Sequence, residues 1–170
     1  MLEHINLIGK CTNYAPSHKA KLYLEGIAAK TVQTFGLQVV EDPADADNAL
    51  LRLKTPYEPR PGGEEKKARH TKIFDPVPIV TVDIQTYRPP VVPEIIEQDS
   101  ASFLSYGSSA DAFLDVVLGE CEPEGRLPFE LPSSMDATRQ SRSDTPHDTC
   151  DPLFWFGHGL RYSAEIYLFC

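Results

Sequence analysis

Asp83 lies in the β-branched run Pro78-Ile-Val-Thr-Val-Asp-Ile84. Ligands of open α/β sheets collect at the carboxyl ends of strands, which makes this carboxylate a candidate ligand contact. The competing expectation is that Asp83 caps a turn or pairs with an arginine such as Arg88. His158 stands between Gly157 and Gly159. A catalytic histidine needs a nucleophile and an orienting group, and the sequence offers neither nearby, so a histidine bonded to backbone is expected. Ser108 and Ser109 follow Gly107, as a nucleophile follows glycine in a tight elbow, but the G-x-S-x-G pattern is absent and helix capping is expected. His147 and Cys150 are two metal-capable residues on one loop and fall short of a site. Trp155 and Phe156 are adjacent aromatics that could form a stacking platform. With Leu153, Phe154 and Leu160 beside them, inward packing is expected, because an exposed patch of that size is unusual on a monomer.

Composition excludes some functions. With 16 basic and 25 acidic residues the formal charge is −9, which argues against nucleic acid and anionic membranes as partners. Apolar content of 41% and charge of 24% are ordinary for a globular chain. A chain of 170 residues buries roughly 70% of its unfolded surface as one domain. Cys11, Cys121, Cys150 and Cys170 are scattered, with no metal-ligand spacing. No stretch reaches the length of a membrane span. The first ten residues lack a basic region followed by an apolar core, so a cytoplasmic location is expected.

The elements that must position these side chains follow from periodicity. Residues 1–20 read as polar and irregular. Lys21–Glu25 alternates as a strand, Ile27–Phe35 reads as a helix ended by Gly36, and Leu37–Val40 as a second strand. Asp42–Asp47 is rich in capping residues. Ala49–Leu53 and Ile79–Ile84 carry the longest apolar runs, as two-sided burial demands, and are expected at the centre of the sheet. Thr55–Gly63 reads as a loop and Glu64–Lys72 as helix-permissive. A helix starting at Glu94, a strand Ser102–Tyr106 and a helix Ala110–Leu118 capped by Ser108 or Ser109 complete the pattern. Alternating strands and helices predict an α/β fold with a mainly parallel sheet flanked by helices. Ordinary sheet sizes suggest about four to six strands. From residue 120 the chain reads mostly as loop, and residues 163–170 as an edge strand or an irregular tail.

Two turn-rich runs stand out near the end, Gly125-Arg-Leu-Pro-Phe-Glu-Leu-Pro132 and Asp151-Pro-Leu-Phe-Trp-Phe-Gly-His-Gly-Leu-Arg-Tyr162. Their order and separation resemble the close of the C-terminal α/β domain of family 3 glycoside hydrolases, the β-glucosidase family. Asp83–Pro93, Phe103–Gly119 and Leu51–Tyr57 resemble further strands and turns of that domain. The resemblance runs from residue 21 to about 162 and covers the domain's second half, which leaves 1–20 and 163–170 as flanking segments.

The resemblance implies retaining hydrolysis of β-glucosides by two carboxyl groups roughly 5–5.5 Å apart. In the family the nucleophile is an aspartate on a separate N-terminal (β/α)-barrel, and no barrel lies within this sequence. The acid/base is a glutamate on the loop after the strand ending Pro56-Tyr57, so position implies Glu58, with Glu64 and Glu65 as fallbacks. The competing expectation is three solvated loop carboxylates, since Pro59 and Pro61 constrain the loop. Asp83 and Trp155 are the candidate sugar contacts, by strand position and by aromatic type. No cofactor and no metal are implied. The implied partners are a β-glucoside and a separate barrel chain. The functional expectation is a part of a β-glucosidase-like hydrolase, inactive alone. A non-catalytic carbohydrate- or protein-binding module, or a degenerate fragment, is the alternative.

Overall fold

A computed structural model describes residues 5–9, 20–55, 79–142 and 144–162. Eight strands and four helices are formed by these residues: β1 (Ile5–Leu7), β2 (Lys21–Glu25), α1 (Ala29–Thr34), β3 (Gln38–Val40), β4 (Asn48–Lys54), β5 (Ile79–Gln85), α2 (Pro93–Gln98), β6 (Ala101–Ser105), α3 (Ala110–Val117), β7 (Leu131–Pro132), α4 (Met135–Gln140) and β8 (Pro152–Phe154). Six strands form one sheet in the order β1-β6-β5-β4-β2-β3. Every pairing in it is parallel except β1 against β6. β4 and β5 are the central pair, as their apolar runs require.

The sheet buries both faces. On one face Leu22, Leu50, Phe103, Ile5 and Leu7 meet Val32 of α1 and the stripe Phe113, Leu114, Val116 and Val117 of α3. Ser109 caps α3 by accepting from the Ala112 amide at 3.2 Å, which aims that stripe at the sheet. Phe103 and Phe113 meet edge to face with centroids 5.5 Å apart. On the other face Leu51, Leu53, Val82, Ile84 and Leu104 meet Ile96 of α2 together with Leu127 and Leu131.

Several expectations are corrected. Residues 5–7 are not irregular: Ile5 and Leu7 are fully buried and pair with β6. Three residues in a polar surround carry too short a pattern to read as a strand. Within the mostly loop segment after residue 120, Ser134 caps α4 and β7 pairs with β8. Residues 163–170 and the helix-permissive stretch 64–72 lie outside the described residues.

The two terminal motifs form one seam. The Leu127 amide donates to His158 O and the Gly157 amide to Leu127 O, both at 2.8 Å. At Gly159 a Cβ would stand 2.4 Å from Gly125 O, so only glycine admits this approach. The seam closes on β1: Leu160 N donates to Leu7 O at 2.8 Å, and His158 Nε2 lies 2.9 Å from Ile8 O. His158 is therefore a backbone-bonded structural residue, as expected, and its ring stacks on Phe154.

Trp155 does not pack inward. It is 65% exposed and Phe156 is 55% exposed. The Gly157 turn directs Phe154 inward and the next two rings out, so apolar type and burial part company here. Phe103→Ala should then cost about 3–5 kcal/mol in chemical denaturation, whereas Trp155→Ala should shift stability by less than about 1 kcal/mol.

Candidate functional site

The sequence β2, β3, β4, β5, β6 runs first to one side of β2 and then to the other. The chains leaving β2 and β4 therefore diverge, which makes the carboxyl ends of these neighbours a topological switch point, the usual ligand crevice of open α/β sheets. The loop after β4 leaves from this point. Its first described residue, Thr55, is tied to β5 by Thr55 N and Oγ1, each donating to Gln85 O at 2.9 Å. Glu58, Glu64 and Glu65 follow Thr55 in the sequence and lie outside the described residues. Beside it, at the end of β5, Tyr87 is 92% exposed, and the Arg88 amide donates to Thr86 Oγ1 at 3.2 Å.

Directly beneath this edge is a buried charged pair. Arg52 of β4 and Asp83 of β5 occupy facing register positions, and Arg52 Nε stands 2.9 Å from Asp83 Oδ2. Their side chains are 7% and 0% exposed. The Ser105 hydroxyl of β6 also faces this carboxylate. Asp83 is fully buried against Arg52, so its ion-pair partner is Arg52, not Arg88. Its expected place at a strand end is also corrected, since β5 continues to Gln85.

Arg52 does more than neutralise Asp83. Its Nη2 donates to Ser108 O at 2.5 Å and to Ser108 Oγ at 3.1 Å, in the turn before α3. In the amide orientation that suits both groups, Gln85 Oε1 accepts from Nη2 at 2.7 Å and Nε at 3.2 Å. The guanidinium carbon lies 6.0 Å from the Phe113 ring centroid, within cation–π range. The backbone of Arg52 is also engaged. Gly26 (φ 73°) turns the chain out of β2, and a Cβ there would fall 2.0 Å from Arg52 O. Arg52 carries no functional expectation in the sequence, and Ser108 is expected there only as an elbow or cap residue. The available signal was an arginine inside Leu50-Leu51-Arg52-Leu53, because a charge on a two-sided buried strand requires a partner.

Burial raises the Asp83 pKa to about 6, against the smaller lowering effects of the Ser105 hydroxyl and Arg52. On the opposite face, where Tyr106 meets Phe129 edge to face, the Tyr106 hydroxyl is buried without a partner among the described residues, and burial raises its pKa. No described helix is long and apolar enough to cross a membrane.

Comparison with known proteins fits this architecture. No family model matches the chain. The probable beta-glucosidase C of Aspergillus flavus is 51% identical over 156 residues, covering 84% of this chain and 24% of the relative. A periplasmic beta-glucosidase/beta-xylosidase of Dickeya chrysanthemi is 34% identical over 169 residues, covering 88% of this chain and 26% of the relative. The chain is part of the C-terminal α/β domain of a family 3 glycoside hydrolase. It spans about a quarter of the length of these relatives. The same fold occurs in a beta-glucosidase from Chaetomella raphigera (TM-score 0.73, 13% identity, 95% of this chain, 35% of that one). It occurs also in the Listeria innocua beta-glucosidase in complex with glucose (TM-score 0.69, 16% identity, 94% of this chain, 32% of that one).

The raised Asp83 pKa has a defined sign. The folded state binds the Asp83 proton more tightly than the unfolded chain, whose value is near 3.8. That stabilising contribution is complete below about pH 4 and is lost as pH rises through about 6. The unfolding free energy of the native chain, measured relative to Asp83→Asn, should therefore fall between pH 4 and 6 by up to about 1.4 kcal/mol per pH unit. Denaturation series at four pH values check this.

Proposed function

We propose that this chain is the acid/base-bearing part of a β-glucosidase, with Glu58 as the general acid/base and Glu64 or Glu65 as the substitutes to examine next. The reading is supported by one observation above the others: the loop that carries Glu58 leaves the sheet at its topological switch point. The names of the relatives support the substrate class, a β-glucoside. The nucleophilic carboxylate comes from the remainder of the enzyme, the barrel, whether on the same chain or on another. One carboxyl group without the other cannot form the covalent glycosyl intermediate, so the 170-residue segment is inactive alone.

Assay of an aryl β-glucoside tests this. The segment by itself should give no turnover above buffer, and the full-length hydrolase should work. Glu58→Gln in the full-length enzyme should lower kcat by about 100-fold or more. Normal turnover in Glu58→Gln, with loss in Glu64→Gln or Glu65→Gln, would move the role to a fallback residue. Turnover by the segment alone would overturn the two-part reading.

A second reading, a surface that binds carbohydrate or another protein, is favoured by the exposure of Trp155 next to Phe156. Trp155 is the only tryptophan, so its fluorescence reports directly. Glucose and laminaribiose should leave the emission unchanged under the hydrolase reading, whereas a saturable shift would favour a sugar-binding surface.

A further inference from the structure

The contacts of Arg52 converge from three consecutive parallel strands. Its own strand, β4, leads to the loop that carries Glu58. Gln85 is the last residue of β5 and accepts from Arg52 Nη2 and Nε. Ser108 belongs to the turn between β6 and α3 and accepts from Nη2 through both its carbonyl and its hydroxyl. One planar guanidinium thus spans the carboxyl edge of the sheet centre, a task suited to its rigid fork of donors. What keeps it pointing there is Asp83, fully buried at 2.9 Å from Nε.

We propose that Arg52 is a positioning residue for this edge, and that Asp83 is the proton-sensitive anchor that holds it in place. With Asp83 ionised, the guanidinium is drawn beneath the edge and clamps the Gly107–Ser109 turn to Gln85. When Asp83 takes up a proton, the pair loses its Coulomb attraction while the desolvation cost of Arg52 remains. Arg52 then has less reason to stay buried, and the turn before α3 loosens. The fold as a whole gains from a neutral Asp83 even as this clamp weakens. The two effects are separable because one is global and the other confined to a turn.

The surroundings allow Asp83 to act this way. Among the described residues, Arg52 is the one charged group with a Coulomb effect on it. β6 contributes the Ser105 hydroxyl, and β5 itself Thr81 and Gln85. The face of α3 over the sheet is Phe113, Leu114, Val116 and Val117, and that of α1 is Val32. Asp111 of α3 and Lys54 of β4 are exposed, and Asp115 of α3 is half-buried outside that stripe. Burial sets the proton affinity of Asp83 near pH 6, where small changes in acidity alter its charge. The inference goes beyond the catalytic reading and stands without Glu58, since its readout is the turn itself.

Carboxyl and amide NMR signals of the whole 170-residue chain, followed from pH 4 to 8, test the proposal. The Asp83 carboxyl carbon should titrate with a midpoint near 6, and the amides of Gly107, Ser108, Ser109 and Ala110 should shift with the same midpoint. In Asp83→Asn those four amides should show no transition in this range. In Arg52→Lys, which keeps the charge but cannot span Gln85 and Ser108 together, Asp83 should still titrate while the amides no longer follow. Asp111→Asn should retain the transition, because Asp111 has no part in the clamp. Should Asp83→Asn not fold, Arg52→Lys against the native chain decides alone. Amides that stay still while Asp83 titrates, that keep their transition in Arg52→Lys, or that lose it in Asp111→Asn would each overturn the proposal.

Discussion

A single buried ion pair constrains this domain. A guanidinium and a carboxylate taken out of water each carry a desolvation penalty of several kcal/mol, and a parallel sheet covered on both faces offers them no water. They survive by facing one another across the central pair β4 and β5. That requirement fixes the relative register of the two strands. It also draws in the turn before α3, whose Ser108 accepts from Arg52 Nη2. The close passage of Gly26 over Arg52 O then sets how the chain leaves β2. Aliphatic residues in the same places would bury more comfortably but would not specify so many neighbours at once.

The same pair explains how the scaffold and the candidate site are joined. Apolar contacts on the two faces hold the layers together without marking one end of the sheet. The contacts of Arg52 gather at the carboxyl edge, beside the switch point, and tie the ends of β4 and β5 to the turn after β6. The motifs that carry the family resemblance lie elsewhere, along the seam where Leu127, Gly157, His158 and Gly159 interlock and close on β1. Ancestry is therefore written in residues that shut the domain, and the proposed chemistry in a loop on its edge.

How much of this was legible in the sequence depends on what each residue's surroundings require. The central strands were readable because two-sided burial leaves continuous apolar runs at 49–53 and 79–84. The cap of α3 is legible to within one residue, Ser108 or Ser109, because an N-cap is a local hydrogen bond, and the structure assigns it to Ser109. β1 was not readable, since a three-residue strand gains its stability from β6 and from the seam, both about a hundred or more residues away in the chain. Trp155 misled because aromatic content was equated with burial, whereas one tight turn reverses the direction of successive side chains. Asp83 is conspicuous in the sequence, where Arg88 on the same segment is the nearer arginine, but parallel pairing supplies Arg52 from the neighbouring strand.

A double-mutant cycle on Arg52→Met and Asp83→Leu, read by equilibrium denaturation at pH 8, tests the governing role of the pair most directly. Arg52→Met leaves an uncompensated buried carboxylate and should cost about 3–5 kcal/mol, whereas the double substitution should recover much of that loss. Additive losses, with the double variant as unstable as the sum of the singles, would contradict the account.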